Sequence, residues 1–371
     1  MTRIAAVHGV LPPNRYSQSE ITDTLARVCL PEGADRRLLD RLHGSARVRH
    51  RNLVLPLGQY GKLDGFGTAN DIFIEAALDL GAEALTGALE AAGIAPSDVD
   101  MIMCTSVTGI ATPSLDARLV QRVGLRPDVK RLPVFGLGCV AGAAGIARLH
   151  DYLSGWPGHV AVLLSVELCS LTLQRGDASV ANLVAGALFG DGAAAVVAVG
   201  DDHPGGRDGG PGRGPGSGRD REQGGGAGPS VVATRSRLYP GSERVMGWDV
   251  RDSGFRVVLD AGVPDVVRTY LNGDVAGFLA DHGLAAGDIA AWVCHPGGPK
   301  VLEAVAETLC LPEGALDLTW RSLAETGNLS SSSVLHVLRD TLALRPPPPG
   351  TPGLLIAMGP GFCSELVLLR W

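Results

Sequence analysis

The chain has 371 residues, of which 45% are hydrophobic and 19% are charged, so it is long enough to bury two cores or one large duplicated core. Its formal net charge of −7 argues against nucleic acid as the main partner. Its 7 cysteines show no CxxC spacing, which predicts neither a metal site nor a disulfide framework and fits free thiols in the cytoplasm.

The N-terminal residues 1–14 hold an apolar run that is too short for a signal peptide, so we predict a strand there. No apolar run is long enough to span a membrane, and no stable insertion is expected. Residues 17–43 have the spacing of interrupted helices, and residues 68–93 that of a longer one. Between them, the basic cluster at residues 41–51 is either a solvated surface or an anchor for a phosphorylated ligand.

The stretch KRLPVFGLGCVAGAAGIARLHDYL, residues 130–153, predicts a strand, a tight turn and a helix. Leu132 to Phe135 is predicted as a buried strand, a glycine turn follows, and Cys139 stands where a helix begins. A helix N-terminus favours thiolate over thiol, which suits a nucleophile. A buried structural cysteine in a glycine-rich turn is the alternative.

The second part of the chain repeats the first. AGIAPSDVDMIMCTSV, ending at Val107, resembles HGLAAGDIAAWVCHPG, and the next unit delivers Cys139 in one half and Asn328 in the other to the start of a helix. This predicts an N-terminal half, residues 1–200, and a C-terminal half, residues 231–371. Strands that alternate with helices predict an α/β fold with mostly parallel pairing.

Residues 201–230 separate the two halves. Of these residues 12 are glycine and few are apolar, so we predict a disordered insertion.

Cys139, His295 and Asn328 form a Cys–His–Asn set that a twofold duplication would bring together. A cysteine nucleophile needs a base, and an amide can polarise a carbonyl. His295 follows a predicted strand and precedes Pro-Gly-Gly, which places it where α/β ligand sites lie. A structural histidine and a helix N-cap asparagine are the alternatives. Papain-like proteases carry the same order, but the CGSCW-type context of that family is not found here.

The motifs GLGCVAGAAG, ALFGDGAAA, CHPGGPKVLEAV, GNLSSSS and GPG cover both halves. With them the chain resembles the type III polyketide synthases, the chalcone-synthase-like family on the thiolase fold. The resemblance implies a duplicated five-layer α-β-α-β-α arrangement. It also implies that Cys139 carries the acyl chain, that His295 keeps it as thiolate and binds the malonyl carbonyl, and that Asn328 supports decarboxylation.

The resemblance further implies a set of substrate-binding residues. Phe189 matches the gate between the CoA tunnel and the cavity, and the gate's second phenylalanine falls at Val257, with Phe255 two residues earlier. The other implied cavity residues are Val107, Cys169, Thr172, Trp248, Ser330, Gly359, Pro360 and Gly361. Arg41 is the one match, a weak one, to the family's CoA-binding basic residues.

An aliphatic lining with an altered gate favours long acyl starters, as in bacterial alkylresorcinol and alkylpyrone synthases. The expected partners are an acyl-CoA or acyl-ACP starter, malonyl-CoA or methylmalonyl-CoA, and a second copy in a homodimer, with no cofactor and no metal. The alternatives are a tetrahydroxynaphthalene or other small aromatic synthase, a β-ketoacyl-ACP synthase III, and an inactive thiolase-fold subunit.

Overall fold

The computed structural model describes residues 1–204 and 228–371. The predicted insertion therefore lies mostly outside the described residues. Its last residues are ordered, because the main-chain N–H of Ile4 donates to the carbonyl of Pro229 at 2.9 Å and Ser230 pairs with Arg3 in a sheet. The prediction that disorder extends to residue 230 is wrong, since Ser230 already begins a strand.

Strands and helices alternate through both halves. The strands of the first half are β1 (Thr2–Val10), β2 (Asn14–Ser17), β3 (His50–Leu53), β4 (Met101–Thr105), β5 (Lys130–Val134), β6 (Val160–Leu168) and β7 (Asp191–Gly200). Its helices are α1 (Gln18–Cys29), α2 (Arg37–Ser45), α3 (Leu57–Tyr60), α4 (Gly65–Ala92), α5 (Leu115–Val123), α6 (Ala141–Gly155) and α7 (Val180–Leu188).

The second half repeats this alternation. Its strands are β8 (Ser230–Leu238), β9 (Met246–Arg251), β10 (Gly254–Leu259), β11 (Ala291–Cys294), β12 (Pro352–Gly359) and β13 (Cys363–Arg370). Its helices are α8 (Val263–Ala280), α9 (Pro299–Thr308), α10 (Asp317–Thr326) and α11 (Ser331–Leu344).

The main sheet has the strand order β11-β12-β13-β8-β1-β7-β6-β4-β5. Within the described residues, 5 of its pairings are antiparallel and 3 are parallel. The prediction of mostly parallel pairing is therefore wrong. One reason is local: β12 turns directly into β13, and a tight connection of this kind produces antiparallel neighbours.

Alternate residues of the strands face different layers, as the period of two requires. In β7, Ala195 and Val197 pack with α4, whereas Ala194 and Val196 pack with α6 and α11. In β12 the residues on the face toward the central helices also pack with α6 and α11, and those on the opposite face pack with α8 and α9. The order is helices, strands, central helices, strands, helices, which is the five-layer arrangement that the resemblance implied.

The strand at Leu132 to Phe135 is not buried as predicted. β5 ends the sheet, where Leu132 is 41% exposed and Phe135 is 52% exposed. A short apolar run has the same pattern at an edge and at the centre of a sheet, so periodicity alone could not separate the two.

The two central helices bring the halves together at their N-terminal ends. A Cβ added at Gly142 of α6 would lie 2.3 Å from the carbonyl oxygen of Ser331, the first residue of α11. Only glycine permits this approach, so the small residues after Cys139 let the turn before α6 reach the turn before α11. In the described part of the chain, no helix is long and apolar enough to cross a membrane.

Candidate active site

Cys139 lies in a 3-10 turn, Gly138–Val140, which leads directly into α6. Gly138 has a φ of 56°, and a Cβ there would lie 2.7 Å from Pro360. A Cβ at Gly359 would likewise lie 2.7 Å from the main-chain nitrogen of Val140. The Gly-Pro-Gly turn therefore packs against the cysteine turn, and glycines are required on both sides of the contact.

The thiol of Cys139 is 6% exposed and lies 3.6 Å from the hydroxyl oxygen of Ser330. Burial raises the pKa of Cys139 to about 12, against a smaller lowering effect of Ser330. The isolated group is therefore a thiol at neutral pH. The thiolate expected at the helix N-terminus stays a prediction, and it needs a proton acceptor close to the buried thiol.

His295 follows the last residue of β11, and its main-chain N–H donates to the carbonyl of Ile356 at 2.9 Å. The Gly297 N–H bonds the His295 carbonyl at 2.9 Å and closes the turn. Both ring nitrogens are buried and have no hydrogen-bond partner among the described residues. Burial lowers the pKa of His295 to about 3, so the ring is neutral and has a lone pair that can accept a proton.

Asn328 is oriented from both sides of its amide. Its Oδ1 accepts from the Ser330 N–H at 2.8 Å, and its Nδ2 donates to the carbonyl of Gly297 at 3.4 Å. This fixes the amide against the turn that carries His295. One Nδ2 hydrogen remains for a ligand, because an amide nitrogen has two.

Cys139, His295 and Asn328 all line one pocket. The rest of its lining is mainly apolar: Leu188, Phe189, Met246, Leu259, Val263, Gly297, Val301, Met358 and Phe362. Proton transfer from Cys139 to His295 in this pocket creates both charges together, and each then offsets the burial of the other. The pocket thus holds a thiol, an imidazole and an amide N–H donor in one place.

A second pocket adjoins the first, and Phe189 lines both. This is the position expected for a gate. The second pocket contains four of the predicted cavity residues, Cys169, Thr172, Trp248 and Val257.

Phe255 and Val257 have different surroundings, although they lie on the same strand. Val257 pairs with Trp248 across the β9–β10 hairpin, and both line the second pocket. Phe255 is 2% exposed and packs with Phe66 and Trp248, at ring-centroid distances of 5.1 Å and 6.1 Å. Of the two, Val257 is the one placed to touch a ligand in this pocket.

Val107 is buried, and its N–H donates to Glu167 at 3.1 Å. The Glu167 carboxylate also accepts from Ser106, Thr108 and Ser331. Burial raises its pKa. Val107 therefore belongs to the packing around this carboxylate, one layer behind the cysteine.

The basic cluster at residues 41–51 is divided between surface and interior. Arg41 is exposed, whereas Arg47 and Arg49 form ion pairs with Glu303 and Glu325, at 2.7 Å and 2.5 Å. Arg51 is 2% exposed and lines the second pocket. The cluster is therefore neither purely solvated nor a single anchor.

Sequence reasoning missed several polar residues of the second pocket: Thr24, Arg51, Tyr60, Ser170 and Asn182. The hydroxyls of Tyr60 and Ser170 lie 2.7 Å apart. Arg51 alone had a signal, because it is the last residue of the basic cluster that the sequence analysis considered as an anchor for a phosphorylated ligand.

Two protein-family models match the chain. The model for the N-terminal domain of chalcone and stilbene synthases matches residues 1–203, and the model for their C-terminal domain matches residues 230–371. A 1,3,6,8-tetrahydroxynaphthalene synthase of Streptomyces peucetius subsp. caesius is 61% identical over 371 residues, covering 100% of this chain and 93% of that protein. A putative chalcone synthase of Bacillus subtilis (strain 168) is 34% identical over 342 residues, covering 90% of this chain and 89% of that protein.

Solved structures agree on the fold. The crystal structure of 1,3,6,8-tetrahydroxynaphthalene synthase from Streptomyces coelicolor A3(2), a bacterial type III polyketide synthase, matches with a TM-score of 0.88 at 29% identity. The match covers 100% of this chain and 99% of that one. These findings confirm the resemblance and the thiolase-like fold: the chain belongs to the chalcone and stilbene synthase family and is a type III polyketide synthase, an enzyme of decarboxylative condensation.

Proposed function

We propose that this enzyme makes 1,3,6,8-tetrahydroxynaphthalene from malonyl-CoA. The observation that carries the proposal is the 61% identity, over the whole chain, to a synthase of that name. The ten ring carbons of the product correspond to five two-carbon units, so malonyl-CoA serves as both starter and extender. The small-aromatic alternative thus has more support than alkylresorcinol or alkylpyrone synthesis.

The second pocket has hydroxyl groups that can bind a chain rich in carbonyl groups. Its lining includes the hydroxyls of Thr24, Tyr60, Ser170 and Thr172 among apolar residues. A poly-β-keto chain offers an acceptor at every second carbon, whereas an alkyl chain offers none. Three of these hydroxyls already bond within the protein, Tyr60 with Ser170, Ser170 with Asp191 and Thr172 with the carbonyl of Cys169, so a poly-β-keto chain would use their remaining bonding capacity.

Trp248 weakens the argument for a long starter that rested on Val257. The two residues are cross-strand partners in the β9–β10 hairpin, and both face the second pocket. The indole therefore occupies space next to the position where the family often has a phenylalanine ring. An aromatic side chain buries roughly 150–250 Å², so the small side chain at 257 does not by itself leave an open channel.

The proposed reaction begins with acyl transfer to Cys139. His295 accepts the thiol proton, the Cys139 sulfur displaces CoA from malonyl-CoA, and the departing CoA sulfur takes the proton from His295. A second malonyl-CoA then loses CO2: its carboxyl carbon–carbon bond breaks, and the electron pair becomes an enolate. Asn328 Nδ2 and the N–H of the neutral His295 ring donate to the enolate oxygen, whose charge needs preorganised donors.

The enolate carbon attacks the Cys139 thioester, the bond to the Cys139 sulfur breaks, and the lengthened chain is left as a CoA thioester. The Cys139 thiolate then displaces CoA from this thioester and so begins the next cycle. In the final steps, an aldol closure loses water and a Claisen closure releases the sulfur. Loss of the starter carboxyl as CO2 completes the ten-carbon skeleton.

The homodimer expected from the resemblance and the cytoplasmic location expected from the free thiols belong to this proposal. The exposed β5 edge, with Leu132 and Phe135, offers a surface to a second copy. Sedimentation equilibrium of the purified protein tests this part; a monomer at micromolar concentration would contradict it.

The product itself is tested by incubating the purified enzyme with labelled malonyl-CoA, alone and in competition with acyl-CoA starters of increasing length. We expect tetrahydroxynaphthalene from malonyl-CoA alone, identified by mass spectrometry against an authentic standard. Preferred formation of alkylresorcinols or alkylpyrones would contradict the proposal, and a product of a single condensation would indicate a ketoacyl synthase.

A further inference from the structure

We propose that Arg51, assisted by Gln18, is a positioning residue that holds Phe189 and Asn328 in register with each other. The inference goes beyond the product proposed above and rests on the roles proposed for Phe189 and Asn328.

The end of α7 depends on these two side chains for its hydrogen bonds. A helix leaves its last four carbonyls without partners inside the helix. Here Arg51 Nη1 donates to the carbonyls of Gly186 and Phe189 at 2.7 Å and 2.8 Å. Gln18 Nε2 donates to the carbonyl of Ala187 at 2.9 Å, and its Oε1 accepts from Arg51 Nη2 at 2.8 Å. The pair therefore satisfies three carbonyls around the gate residue.

The carbonyl of Leu188, the last residue of α7, connects this helix end to Asn328. The Asn328 N–H donates to the carbonyl of Leu188 at 2.8 Å, and the Gly190 N–H donates to the carbonyl of Asn328 at 3.0 Å. Phe189 and Asn328 thus form a parallel bridge. A shift of the α7 end would move the Asn328 backbone as well as the Phe189 ring.

Arg51 also touches the asparagine turn directly. A Cβ added at Gly327, which has a φ of 72°, would lie 2.9 Å from the Arg51 side chain. The stem of Arg51 therefore lies on the residue just before Asn328, while its guanidinium reaches α7. One side chain contacts both parts of the bridge.

The charge of Arg51 suits this position. A cation is favourable at a helix C-terminus, and buried Asp191 supplies a nearby negative charge. Burial lowers the pKa of Arg51 to about 10, so it stays protonated at neutral pH. A lysine would keep the charge but not the planar fork that serves two carbonyls and Gln18 together.

The experiment compares Arg51→Lys and Gln18→Ala with the control Arg15→Lys. Arg15 lies on β2, next to β3, and forms a surface ion pair with Glu325 at 2.7 Å. Measurements are the melting temperature, kcat and KM for CO2 release from malonyl-CoA, and the chain lengths of the products.

For Arg51→Lys we expect kcat for CO2 release to fall about ten- to hundredfold, since displacement of a catalytic group by an ångström can cost about hundredfold. KM should change less than about threefold, and truncated products should increase. Gln18→Ala should show the same changes in kcat and product length, but smaller ones. If Arg51→Lys does not fold, the result for Gln18→Ala tests the proposal. Arg15→Lys should match the wild type.

Folded variants with wild-type kcat and wild-type product lengths would overturn the proposal, whatever their melting temperatures. A wild-type product other than tetrahydroxynaphthalene would instead contradict the proposed function. It would leave this comparison intact, because CO2 release and chain length are measured for any polyketide.

Discussion

Trp248 is the side chain that we expect to limit the starter. It lies on β9, lines the second pocket and pairs with Val257 across the hairpin. Trp248→Ala removes the indole while leaving the strand pairing in place. Because the indole is only partly buried, the loss of folding stability should be smaller than the roughly 3–5 kcal/mol typical of a buried tryptophan.

The magnitude follows from the burial of methylene groups. Each CH2 gains about 0.8 kcal/mol when it leaves water. An acyl chain that places four methylenes in the space of the indole gains roughly 3 kcal/mol, which is about a hundredfold in selectivity. We therefore expect kcat/KM for octanoyl-CoA, relative to malonyl-CoA, to rise by up to about a hundredfold in Trp248→Ala.

The assay measures product formation from each starter at a fixed malonyl-CoA concentration, with products separated by mass. Trp156→Ala is the matched control, since Trp156 is 50% exposed and stacks on His159 away from both pockets. It should leave the starter ratio unchanged. A ratio that is also unchanged in folded Trp248→Ala would refute the reasoning that this indole limits the cavity.

Three further predictions concern the nucleophile, the gate and acid stability. Cys139→Ala should abolish polyketide formation while slow decarboxylation of malonyl-CoA persists, because His295 and Asn328 remain; full product formation would remove Cys139 from its role. Val257→Phe should shorten the products, since a ring added beside Trp248 reduces the second pocket, and an unchanged product profile would contradict this. Burial lowers the pKa of His336 to about 3, below the ordinary value of about 6.5. Between about pH 3 and pH 6.5 the unfolded state therefore binds more protons than the folded state, so the free energy of unfolding falls as the pH falls. Urea unfolding at a series of pH values gives the slope of the unfolding free energy against pH. His336→Gln should reduce this slope by up to about 1.4 kcal/mol per pH unit, and an equal slope in both proteins would contradict the role given to His336.

Local patterns were sufficient for the α/β class and for the meeting of the two repeated turns, whereas the five layers were expected from the family resemblance. Alternating strands and helices predicted the α/β class, and the repeated turn before a helix predicted that Cys139 and Asn328 would meet. The contact of Gly142 with Ser331 is the physical basis of that meeting. The strand directions were predicted poorly, because pairing direction depends on connections between distant segments that no local pattern encodes.

The lining of the second pocket could not be predicted for a related reason. Thr24, Arg51 and Tyr60 come from a segment that local patterns describe as interrupted helices and a basic surface. Each becomes part of the pocket only when this segment packs beside α7 and the β9–β10 hairpin. Val257 lines the second pocket, but the effect expected of its small side chain depends on Trp248, because the indole lies beside it and a small residue there does not open a channel. We therefore expect starter selection to depend on residue pairs across the cavity. Substitutions at Trp248 and Val257 should be measured together as well as singly, since side chains in contact do not contribute additively.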